Sequence, residues 1–333
     1  MKHSNIPIFI PELACPHQCV FCNQAKISGQ MSVPTPEEIP AIIDTYLSTM
    51  NDGREVEVAF FGGSFTGIPL DLQERYLAEA HRYLREGRIC GIRLSTRPDY
   101  INDAVLDLLK RYGVTTIELG AQSTNDDVLL ASGRGHKADA IRRASERILE
   151  NGFRLGLQMM IGLPHDTYER SRQTVEDIIS LGADNTRIYP TLVIKGTQLA
   201  KRYESGHYVP LDLPTALSWA KDFYLRFEAA GVNVLRVGLH ASEELTPERS
   251  LLAGPYHRSF KELMMTEIWA DILAEKLNGY NHQDMILKVH PSQVNFVWGY
   301  AGKNKRFFEQ KDLRVKLLTD DHLGKYEVQV GCR

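Results

Sequence analysis

Short apolar runs alternate with longer amphipathic stretches over the first two thirds of the chain. Six runs rich in β-branched and aromatic residues predict buried strands, and a stretch with apolar residues at helical spacing follows each of them. The predicted strands are residues 6–10, 56–61, 92–95, 115–119, 155–161 and 186–189, with 232–237 as one further candidate. Six strand–helix units in succession favour a parallel sheet with helices outside. Right-handed crossovers would curl it into a barrel or partial barrel.

Polar residues mark the starts of two of these helices. The segment Thr35-Pro36-Glu37-Glu38 combines a capping threonine, a proline suited to the first helical position and the glutamate of a capping box. Asn102 is placed to cap the helix that follows the third strand.

A distinctive cluster follows each predicted strand at its C-terminal end. In chain order, the clusters are Cys15, Cys19 and Cys22; Gly62-Gly63-Ser64-Phe65; Ser95-Thr96-Arg97-Pro98-Asp99; Glu118 with Gln122-Ser123; Gln158 with Gly162-Leu163-Pro164; and Arg187 with Tyr189-Pro190-Thr191. The C-terminal ends of parallel strands share one face of a barrel, and the active sites of such barrels lie there. Turn chemistry alone explains glycine and proline at one strand end, but not six clusters together with the cysteines.

Three of the five cysteines form a C-x3-C-x2-C motif, Cys15, Cys19 and Cys22. Three thiolates this close converge on one soft metal centre but leave a tetrahedral site incomplete. Either a fourth protein ligand completes a zinc site, or one metal stays open to a molecule that is not protein, as in an iron–sulfur cluster with an open iron. We expect the cluster. The remaining cysteines are isolated, which is typical of a reducing compartment.

The composition is that of a globular chain large enough for a large domain and a small one, with 333 residues, 43% hydrophobic and 24% charged. No run of eighteen apolar residues and no signal-peptide pattern is found, so we expect a cytoplasmic protein without a membrane span. The net charge is −3, yet residues 285–333 hold nine Lys and Arg against five Asp and Glu, and the rest holds 30 against 37. A basic C-terminal part therefore follows an acidic body.

The cysteine spacing, with Phe21 directly before Cys22, resembles the signature of the radical S-adenosylmethionine (SAM) superfamily. In that family the three cysteines hold a 4Fe–4S cluster, SAM chelates the fourth iron, and electron transfer to the sulfonium gives a 5′-deoxyadenosyl radical. The resemblance implies both cofactors and a reducing electron donor such as ferredoxin or flavodoxin. Gly62-Gly63 match the family's glycine-rich segment, which faces the SAM amino group. Ser64 replaces the usual acidic residue there.

Further segments are similar to the radical SAM domain of the Elongator catalytic subunit family, which modifies tRNA. They are Phe61-Gly62-Gly63-Ser64-Phe65-Thr66, Ser95-Thr96-Arg97-Pro98-Asp99-Tyr100, Glu118-Leu119-Gly120-Ala121-Gln122-Ser123, Ser132-Gly133-Arg134-Gly135-His136, Gln158-Met159-Met160-Ile161-Gly162-Leu163-Pro164 and Tyr189-Pro190-Thr191-Leu192-Val193-Ile194-Lys195-Gly196-Thr197. The chain is too short for that family's acetyltransferase domain, so acetyl-CoA chemistry is not expected. The related coproporphyrinogen dehydrogenase family has an extra cysteine where this chain has Gln24, which weakens an interpretation as a haem-synthesis enzyme.

The resemblance and the strand-end positions together suggest residues for the SAM site. The candidates are Gly62, Gly63 and Ser64 for the amino group; Ser95, Glu118 and Gln122 for the ribose hydroxyls; and Phe21, Ile161 and Leu163 for the adenine. Tyr189 and Lys195 are weaker candidates for action on the substrate. For Tyr189, a ring packed in the core with a satisfied hydroxyl is the simpler interpretation.

The pattern changes near residue 285. A predicted strand (285–289), a helix (292–298), Gly299-Tyr300-Ala301-Gly302, a basic helix and further strands (313–318, 326–330) follow one another. This order resembles the core of a KH domain, in which the G-x-x-G backbone clamps nucleic-acid phosphates. Gly299 and Gly302 permit close approach, and Lys303, Lys305 and Arg306 suit phosphate. The alternative is an ordinary helix–turn–helix corner with a solvated basic face.

We therefore expect an α/β chain with a partial (βα)6 radical SAM barrel at residues 1–245, a connecting loop and helix at 246–284, and a small α/β domain at 285–333, KH-like and RNA-binding. The functional hypothesis is a radical SAM enzyme that modifies a structured RNA, either tRNA or rRNA. Two alternatives remain: a radical SAM enzyme acting on a small metabolite or tetrapyrrole, and a nonenzymatic RNA-binding protein whose cysteines hold zinc.

Overall fold

The computed structural model describes residues 3–10, 19–23, 33–50, 54–239, 245–246, 249–280 and 283–332. The chain forms two compact units, Met1–Ala216 with Phe223–Tyr256, and Leu217–Asp222 with His257–Arg333. The first unit ends at Tyr256, whereas the boundary expected from the sequence lies at residue 245. None of the helices in the described ranges combines the length and apolar character that crossing a bilayer requires.

Seven strands form one parallel sheet in the first unit, each beside the next along the chain. They are β1 (His3–Ile10), β2 (Glu55–Gly62), β3 (Gly91–Thr96), β4 (Val114–Gln122), β5 (Arg154–Ile161), β6 (Asn185–Pro190) and β8 (Asn233–Val237). The short β7 (Val193–Ile194) instead pairs antiparallel with β9 (Leu251–Ala253). The predicted partial barrel is confirmed, and the further candidate strand at 232–237 is β8.

Helices connect the strands of the sheet. They are α1 (Ile39–Ser48), α2 (Leu70–Arg85), α3 (Asp103–Arg111), α4 (Asp126–Ala131), α5 (Ala138–Glu150), α6 (Tyr168–Ser180), α7 (Gln198–Glu204) and α8 (Leu213–Ala229). Asn102 caps α3 as predicted, because its Oδ1 accepts the Val105 N–H at 3.0 Å. The Thr35 N–H donates to the Glu38 carboxylate at 2.7 Å, as in the predicted capping box, and a 3₁₀ turn (Pro36–Glu38) leads into α1.

The two faces of the sheet differ in polarity because successive residues of a strand point to opposite sides. One set of alternating residues is apolar and fully buried: Val58, Leu94, Ile117, Leu157 and Ile188. The other set carries a chain of charged and amide groups that contact one another: Glu57, Arg93, Glu118, Gln158 and Arg187. We call this second side the inner face.

Two glycines make room for the carboxylates of the inner face. A Cβ added at Gly91 would lie 2.8 Å from Glu57 Oε1, and one added at Gly156 would lie 2.8 Å from Glu118 Cγ. Both distances are shorter than ordinary van der Waals contact. Glycine at these positions therefore allows glutamates to occupy the interior of a β-sheet.

The second unit contains the small α/β fold expected at residues 285–333, together with the helix at 260–276 that the sequence analysis assigned to a connecting segment. Its central strand β10 (Gln283–Val289) pairs parallel with β11 (Leu313–Thr319) and antiparallel with β12 (Val328–Cys332). Its helices are α9 (Phe260–Lys276), α10 (Val294–Trp298) and α11 (Lys303–Gln310). Trp269, Leu273, Leu287, Val297 and Phe308 belong to its core. The order strand, helix, G-x-x-G, helix, strand expected from the sequence is present.

Candidate active site

The structure describes two of the three cysteines of the C-x3-C-x2-C motif. Cys19 is buried and Cys22 is half-buried, whereas Cys15 lies outside the described residues. Within the described ranges, no group of three His, Cys, Asp or Glu residues could hold a metal ion. The structure thus brings two of the three predicted ligands together in one turn.

This turn is held by backbone bonds from both sides. The Val20 N–H donates to the Ser132 carbonyl at 3.0 Å, and the Leu199 N–H donates to the Val20 carbonyl at 2.7 Å. Ser132 directly follows α4 and Leu199 lies in the first turn of α7. The turn is therefore fixed at the ends of β4 and β6, on the side of the sheet where the strands finish.

Arg134 contacts one of the two described cysteines directly. Its Nη1 donates to Cys19 Sγ at 3.2 Å and its Nη2 donates to the Gly120 carbonyl. The side chain is buried, and its Nε has no partner among the described residues. A buried guanidinium stabilises a thiolate, and the remaining N–H can bind a second anion. Arg134 was not among the site residues expected from the sequence.

A second buried arginine braces the first. Arg97 holds Asp99 in a bidentate pair, with Nε–Oδ1 at 2.9 Å and Nη2–Oδ2 at 2.8 Å. The same Nη2 donates to the Arg134 carbonyl. Burial, assisted by the Arg134 charge, lowers the pKa of the neighbouring His136 to about 4. The histidine is therefore neutral near pH 7, and Arg97 and Arg134 carry the positive charge.

The glycine pair at the end of β2, Gly62 and Gly63, joins the ends of β1 and β2. Gly62 has φ +107°, and a Cβ there would lie 3.2 Å from the backbone of Ile10. The Gly63 N–H donates to the Ile10 carbonyl at 2.9 Å, and Ser64 is buried beside them. Gly62 is required by both its conformation and its surroundings. The predicted role of these three residues in binding the SAM amino group stays a prediction.

Glu118 is surrounded by donors on the inner face. Its Oε1 accepts from Arg93 Nη1 at 2.9 Å and Arg187 Nη2 at 3.0 Å. Its Oε2 accepts from Arg187 Nε at 2.6 Å and Gln158 Nε2 at 3.0 Å. A carboxylate offers about four acceptor positions, and all are used. This geometry favours a structural role for Glu118 over the ribose contact expected from the sequence.

The same network continues through Arg93 to Glu57. Arg93 Nε donates to Glu57 Oε2 at 2.7 Å, and Arg154 Nη2 donates to Glu57 Oε1 at 2.8 Å. Burial alone would raise the pKa of Glu118, but the charges of Arg187 and Arg93 outweigh it and hold that pKa below its ordinary value. The carboxylates are therefore ionised in the folded protein.

Two of the predicted ribose partners lie at neighbouring strand ends. Ser95 Oγ accepts from Gln158 Nε2 at 3.2 Å. Gln122 has φ +66° at an irregularity in the β4–β5 register, and its Oε1 is buried without a partner among the described residues. A strained backbone and an orphaned buried acceptor together indicate a group shaped for a ligand.

An apolar cluster lies beside the cysteine turn. Phe21 and Tyr189 pack against the buried side chains of Val128, Met160 and Leu163. Two of the three residues predicted to contact adenine, Phe21 and Leu163, are therefore together. The contact of these two residues with adenine stays a prediction.

Ile161 and the two substrate candidates are placed differently. Ile161 is fully buried, and its carbonyl accepts from the Thr191 N–H at 3.0 Å. Tyr189 packs at the apolar cluster, and the nearby Arg187 guanidinium lies 5.0 Å from the centroid of the Phe61 ring. Lys195 is exposed after β7. The structure brings Tyr189, but not Lys195, to the apolar cluster.

Asp166 stabilises the turn that carries Leu163. Its Oδ2 accepts from the Gly162 N–H at 2.9 Å and from Ser171 Oγ at 2.7 Å. Burial raises the pKa of Asp166 to about 6, although these hydrogen bonds act in the opposite direction. A substitution here acts on the shape of the turn between β5 and α6.

The predicted RNA-binding residues lie in the second unit. Lys303 pairs with Glu267, Lys305 Nζ lies 4.0 Å from Glu309, and Arg306 Nη1 donates to the Ala301 carbonyl at 3.0 Å. All three basic side chains are exposed. Their role in RNA binding stays a prediction.

A model of the radical SAM superfamily matches residues 10–178, about half of the chain, and a model of the radical SAM C-terminal domain matches residues 183–269. The chain belongs to the radical SAM superfamily. Members of this superfamily are enzymes that use a 4Fe–4S cluster and SAM. The predicted enzyme class and cofactors are confirmed, and the nonenzymatic zinc protein is excluded.

Several relatives share the radical SAM region. Elongator complex protein 3 of Schizosaccharomyces pombe is 31% identical over 174 residues, which cover 46% of this chain and 32% of that protein. The tRNA uridine(34) acetyltransferase of Methanocaldococcus jannaschii is 25% identical over 236 residues, covering 59% and 44%. The chain thus spans less than half the length of these relatives. The resemblance to the Elongator catalytic subunit family is confirmed as distant homology.

The structure of archaeal Elp3 from Methanocaldococcus infernus, with an N-terminal deletion, superposes with a TM-score of 0.60 at 16% identity. The match covers 85% of this chain and 66% of that one. At this identity the likeness shows a shared fold.

The residues of this radical SAM chain fit the two cofactors. Cys19 and Cys22 supply thiolates, Arg134 and Gln122 each direct one unpartnered polar atom into buried space, and Phe21 and Leu163 supply apolar surface. Buried polar atoms are nearly always hydrogen-bonded in folded proteins. Orphaned atoms close to a cluster motif are therefore consistent with a polar ligand at this place.

Proposed function

We propose that this radical SAM enzyme modifies a structured RNA, either a tRNA or an rRNA. The observation that carries the proposal is the exposed basic helix α11, which directly follows a G-x-x-G loop in the basic C-terminal part of the chain. Similarity to a tRNA uridine(34) acetyltransferase supports an RNA substrate.

In this proposal Cys15, Cys19 and Cys22 hold the cluster, and Arg134 binds the carboxylate of SAM through its unpartnered Nε–H. When bound, the two cofactors supply a 5′-deoxyadenosyl radical for hydrogen abstraction. A one-electron donor such as ferredoxin or flavodoxin would supply the electron that this chemistry requires.

The remaining residues of the SAM site have distinct tasks. Gln122 and Ser95 bind ribose hydroxyls, since both present polar atoms at adjacent strand ends. Phe21 and Leu163 enclose the adenine and exclude water, which protects a reactive radical from solvent. The backbone next to Gly62 faces the SAM amino group.

Tyr189 lies on the inner face two residues after Arg187 in β6. Arg187 is held by Glu118 through two hydrogen bonds. Tyr189 packs against the apolar cluster. We assign Tyr189 to positioning the substrate, and Glu118 and Arg187 to fixing the strand that carries it.

Nucleoside mass spectrometry tests the proposal. Total tRNA and rRNA from a deletion strain are compared with RNA from the same strain carrying the parent gene or the Cys19→Ala variant. We expect one modified nucleoside that is restored by the parent and absent with the variant. Identical nucleosides in all three strains would contradict the RNA assignment and favour a small metabolite.

A charge-matched pair of variants tests the RNA contact. The triple alanine variant of Lys303, Lys305 and Arg306 should bind RNA more weakly and with a smaller salt dependence, by roughly 0.7–0.9 in the logarithmic slope for each phosphate that it no longer neutralises. The control replaces three exposed basic residues of the first unit, Arg85, Lys110 and Arg111, and has the same net charge. Equal weakening in both variants would show a general charge effect and not a site.

A further inference from the structure

The G-x-x-G loop is anchored through its own backbone amides. The Tyr300 N–H donates to Thr266 Oγ1 at 2.8 Å, the Gly302 N–H donates to the Gly299 carbonyl at 3.0 Å, and the Gly299 N–H donates to the Asn295 carbonyl at 3.1 Å. The Lys303 N–H donates to the Tyr300 carbonyl. These four amides already have protein acceptors. A ligand at this loop would therefore rely mainly on side chains, because these four amides are not available to it.

The anchoring leaves the Tyr300 side chain at the surface. Gly299 packs so closely that an added Cβ would lie 2.8 Å from Thr266 Cγ2, and the buried Asn304 donates to the Thr266 carbonyl at 3.2 Å. Tyr300 itself is 42% exposed. Few large apolar side chains in the described part of the chain are exposed to this extent. The loop is thus rigidly packed at its base and presents an aromatic ring to solvent.

His257 holds the Tyr300 ring from one side. The two rings lie at 90° with centroids 5.3 Å apart. The His257 ring is fixed in turn because its Nδ1 accepts the Ser259 N–H at 3.0 Å. An edge-to-face contact of this kind orients an aromatic ring and uses only one of its surfaces. Tyr300 is therefore pre-oriented, which lowers the entropy cost of stacking on it.

Exposed basic residues lie close to this ring in the sequence, and one of them, Lys305, has its Nζ 4.0 Å from the Glu309 carboxylate. The exposed Lys305 and Arg306 follow the loop directly, and the exposed Arg258 is adjacent to His257 in the chain. The Arg306 guanidinium is held close to the loop by its bond to the Ala301 carbonyl. An exposed aromatic ring with cations nearby is the combination that binds unpaired nucleotides, by base stacking and phosphate contact.

We propose that Tyr300 is the stacking platform for one unpaired base of RNA, with Arg306 and Lys305 contacting the adjacent phosphates. This inference rests on the proposed function, because it takes RNA as the ligand. The backbone clamp expected from the sequence stays a prediction, and this proposal adds a side-chain contact at the same loop. It also adds Tyr300 as a residue that contacts the substrate and His257 as a residue that positions Tyr300.

The test compares Tyr300→Ala with Tyr300→Phe in the full chain, purified anaerobically with its cluster. Phenylalanine keeps the ring and is the matched control. Fluorescence anisotropy measures the Kd for a labelled unstructured RNA of about eight nucleotides and for the same sequence in a fully paired duplex. We expect Tyr300→Ala to weaken single-strand binding roughly 5- to 150-fold, the range for removal of one stacked base. Tyr300→Phe should stay within about threefold of the parent.

Three outcomes would overturn the inference. If Tyr300→Ala binds the single strand as tightly as Tyr300→Phe does, stacking is refuted while an RNA substrate remains in place. An equal weakening on duplex RNA also refutes it, because paired bases are not accessible for stacking on a side chain. If the parent binds neither RNA, both this inference and the RNA assignment under the proposed function fail.

A second variant separates orientation from stacking. His257→Ala removes the ring that orients Tyr300 but leaves the platform. We expect a smaller decrease in affinity than with Tyr300→Ala, and no further decrease when the two are combined. Additive decreases would show that His257 contacts RNA independently and would refute its role as a support for Tyr300.

Discussion

Replacing Arg187 with methionine tests the buried ion network directly. Methionine fills similar volume but leaves Glu118, 1% exposed, without two of its hydrogen bonds, at 2.6 and 3.0 Å. Removing one partner of a buried ion pair costs about 3–5 kcal/mol. Arg93 and Gln158 remain as partners of Glu118. We therefore expect the free energy of unfolding to fall by about 3 kcal/mol, the low end of that range. This corresponds to roughly a 150-fold change in the unfolding equilibrium constant.

The double variant Glu118→Gln/Arg187→Met identifies the cause. Because it removes the uncompensated charge, it should be less destabilised than the sum of the two single variants, by about 1–3 kcal/mol. The measurement is urea denaturation under anaerobic conditions, followed by circular dichroism. Arg111→Met, which removes an exposed ion pair with Glu74, is the control and should cost less than about 1 kcal/mol. Additive single effects would refute the proposed coupling.

The pH dependence of the same variants gives an independent check. In the parent the pKa of Glu118 is lowered by its arginines, so its contribution is present above the pKa of the unfolded chain, about 4.3, and is lost as the pH falls below it. In Arg187→Met burial acts with less opposition, so the pKa of Glu118 rises. The deficit of this variant relative to the parent should then shrink between pH 8 and pH 5. A constant deficit would show that packing, and not charge, is responsible.

Three further substitutions give outcomes that are as specific. Gly156→Ala places a Cβ 2.8 Å from Glu118 Cγ and should cost about 1–3 kcal/mol in urea denaturation, whereas a neutral effect would show that the sheet yields there. Cys19→Ala should lose iron and visible absorbance after anaerobic reconstitution, and the control Cys90→Ala, at an exposed site, should retain both. The parent should lose stability as the pH rises from about 4 to about 6, and Asp166→Asn should abolish this loss. The folded protein holds a proton on Asp166 up to about pH 6 that the unfolded chain releases near pH 4.

Local features were predictable from the sequence because their causes lie within a few residues. The cap at Asn102, the order of strands and helices, and the cysteine motif each depend on short spacings. Six of the seven sheet strands follow from apolar runs alone, and the seventh, β8, was a further candidate. The parallel order then followed from the alternation of strands and helices.

The ion network could not be predicted because its members are distant in the chain. Arg187 is 69 residues from Glu118, and Arg154 is 97 residues from Glu57. A glutamate within a strand carries no sequence signal that it will face an arginine on a strand elsewhere. Gly91 and Gly156 offered an indirect signal, since glycine inside a strand often marks close approach of another group.

The role of Arg134 was missed for a related reason. Its contact with Cys19 spans 115 residues, and it depends on the loop after α4 folding back over the end of β4. The available signal was an arginine between two glycines shortly after a strand-end cluster. The strained conformation of Gln122 likewise follows from an irregular register between β4 and β5 that only the structure reveals.

The open form of the sheet has a mechanical consequence. Among the described strands, β1 joins the sheet through β2, and β8 joins it through β6, so the two edges are not bonded to each other. A closed barrel has a radius fixed by its strand number and stagger. An open sheet can change its curvature by a small additional twist at each ladder without breaking an inter-strand hydrogen bond. The size of the space over the inner face therefore depends on side chains and loops, and this space can adjust to a bulky ligand.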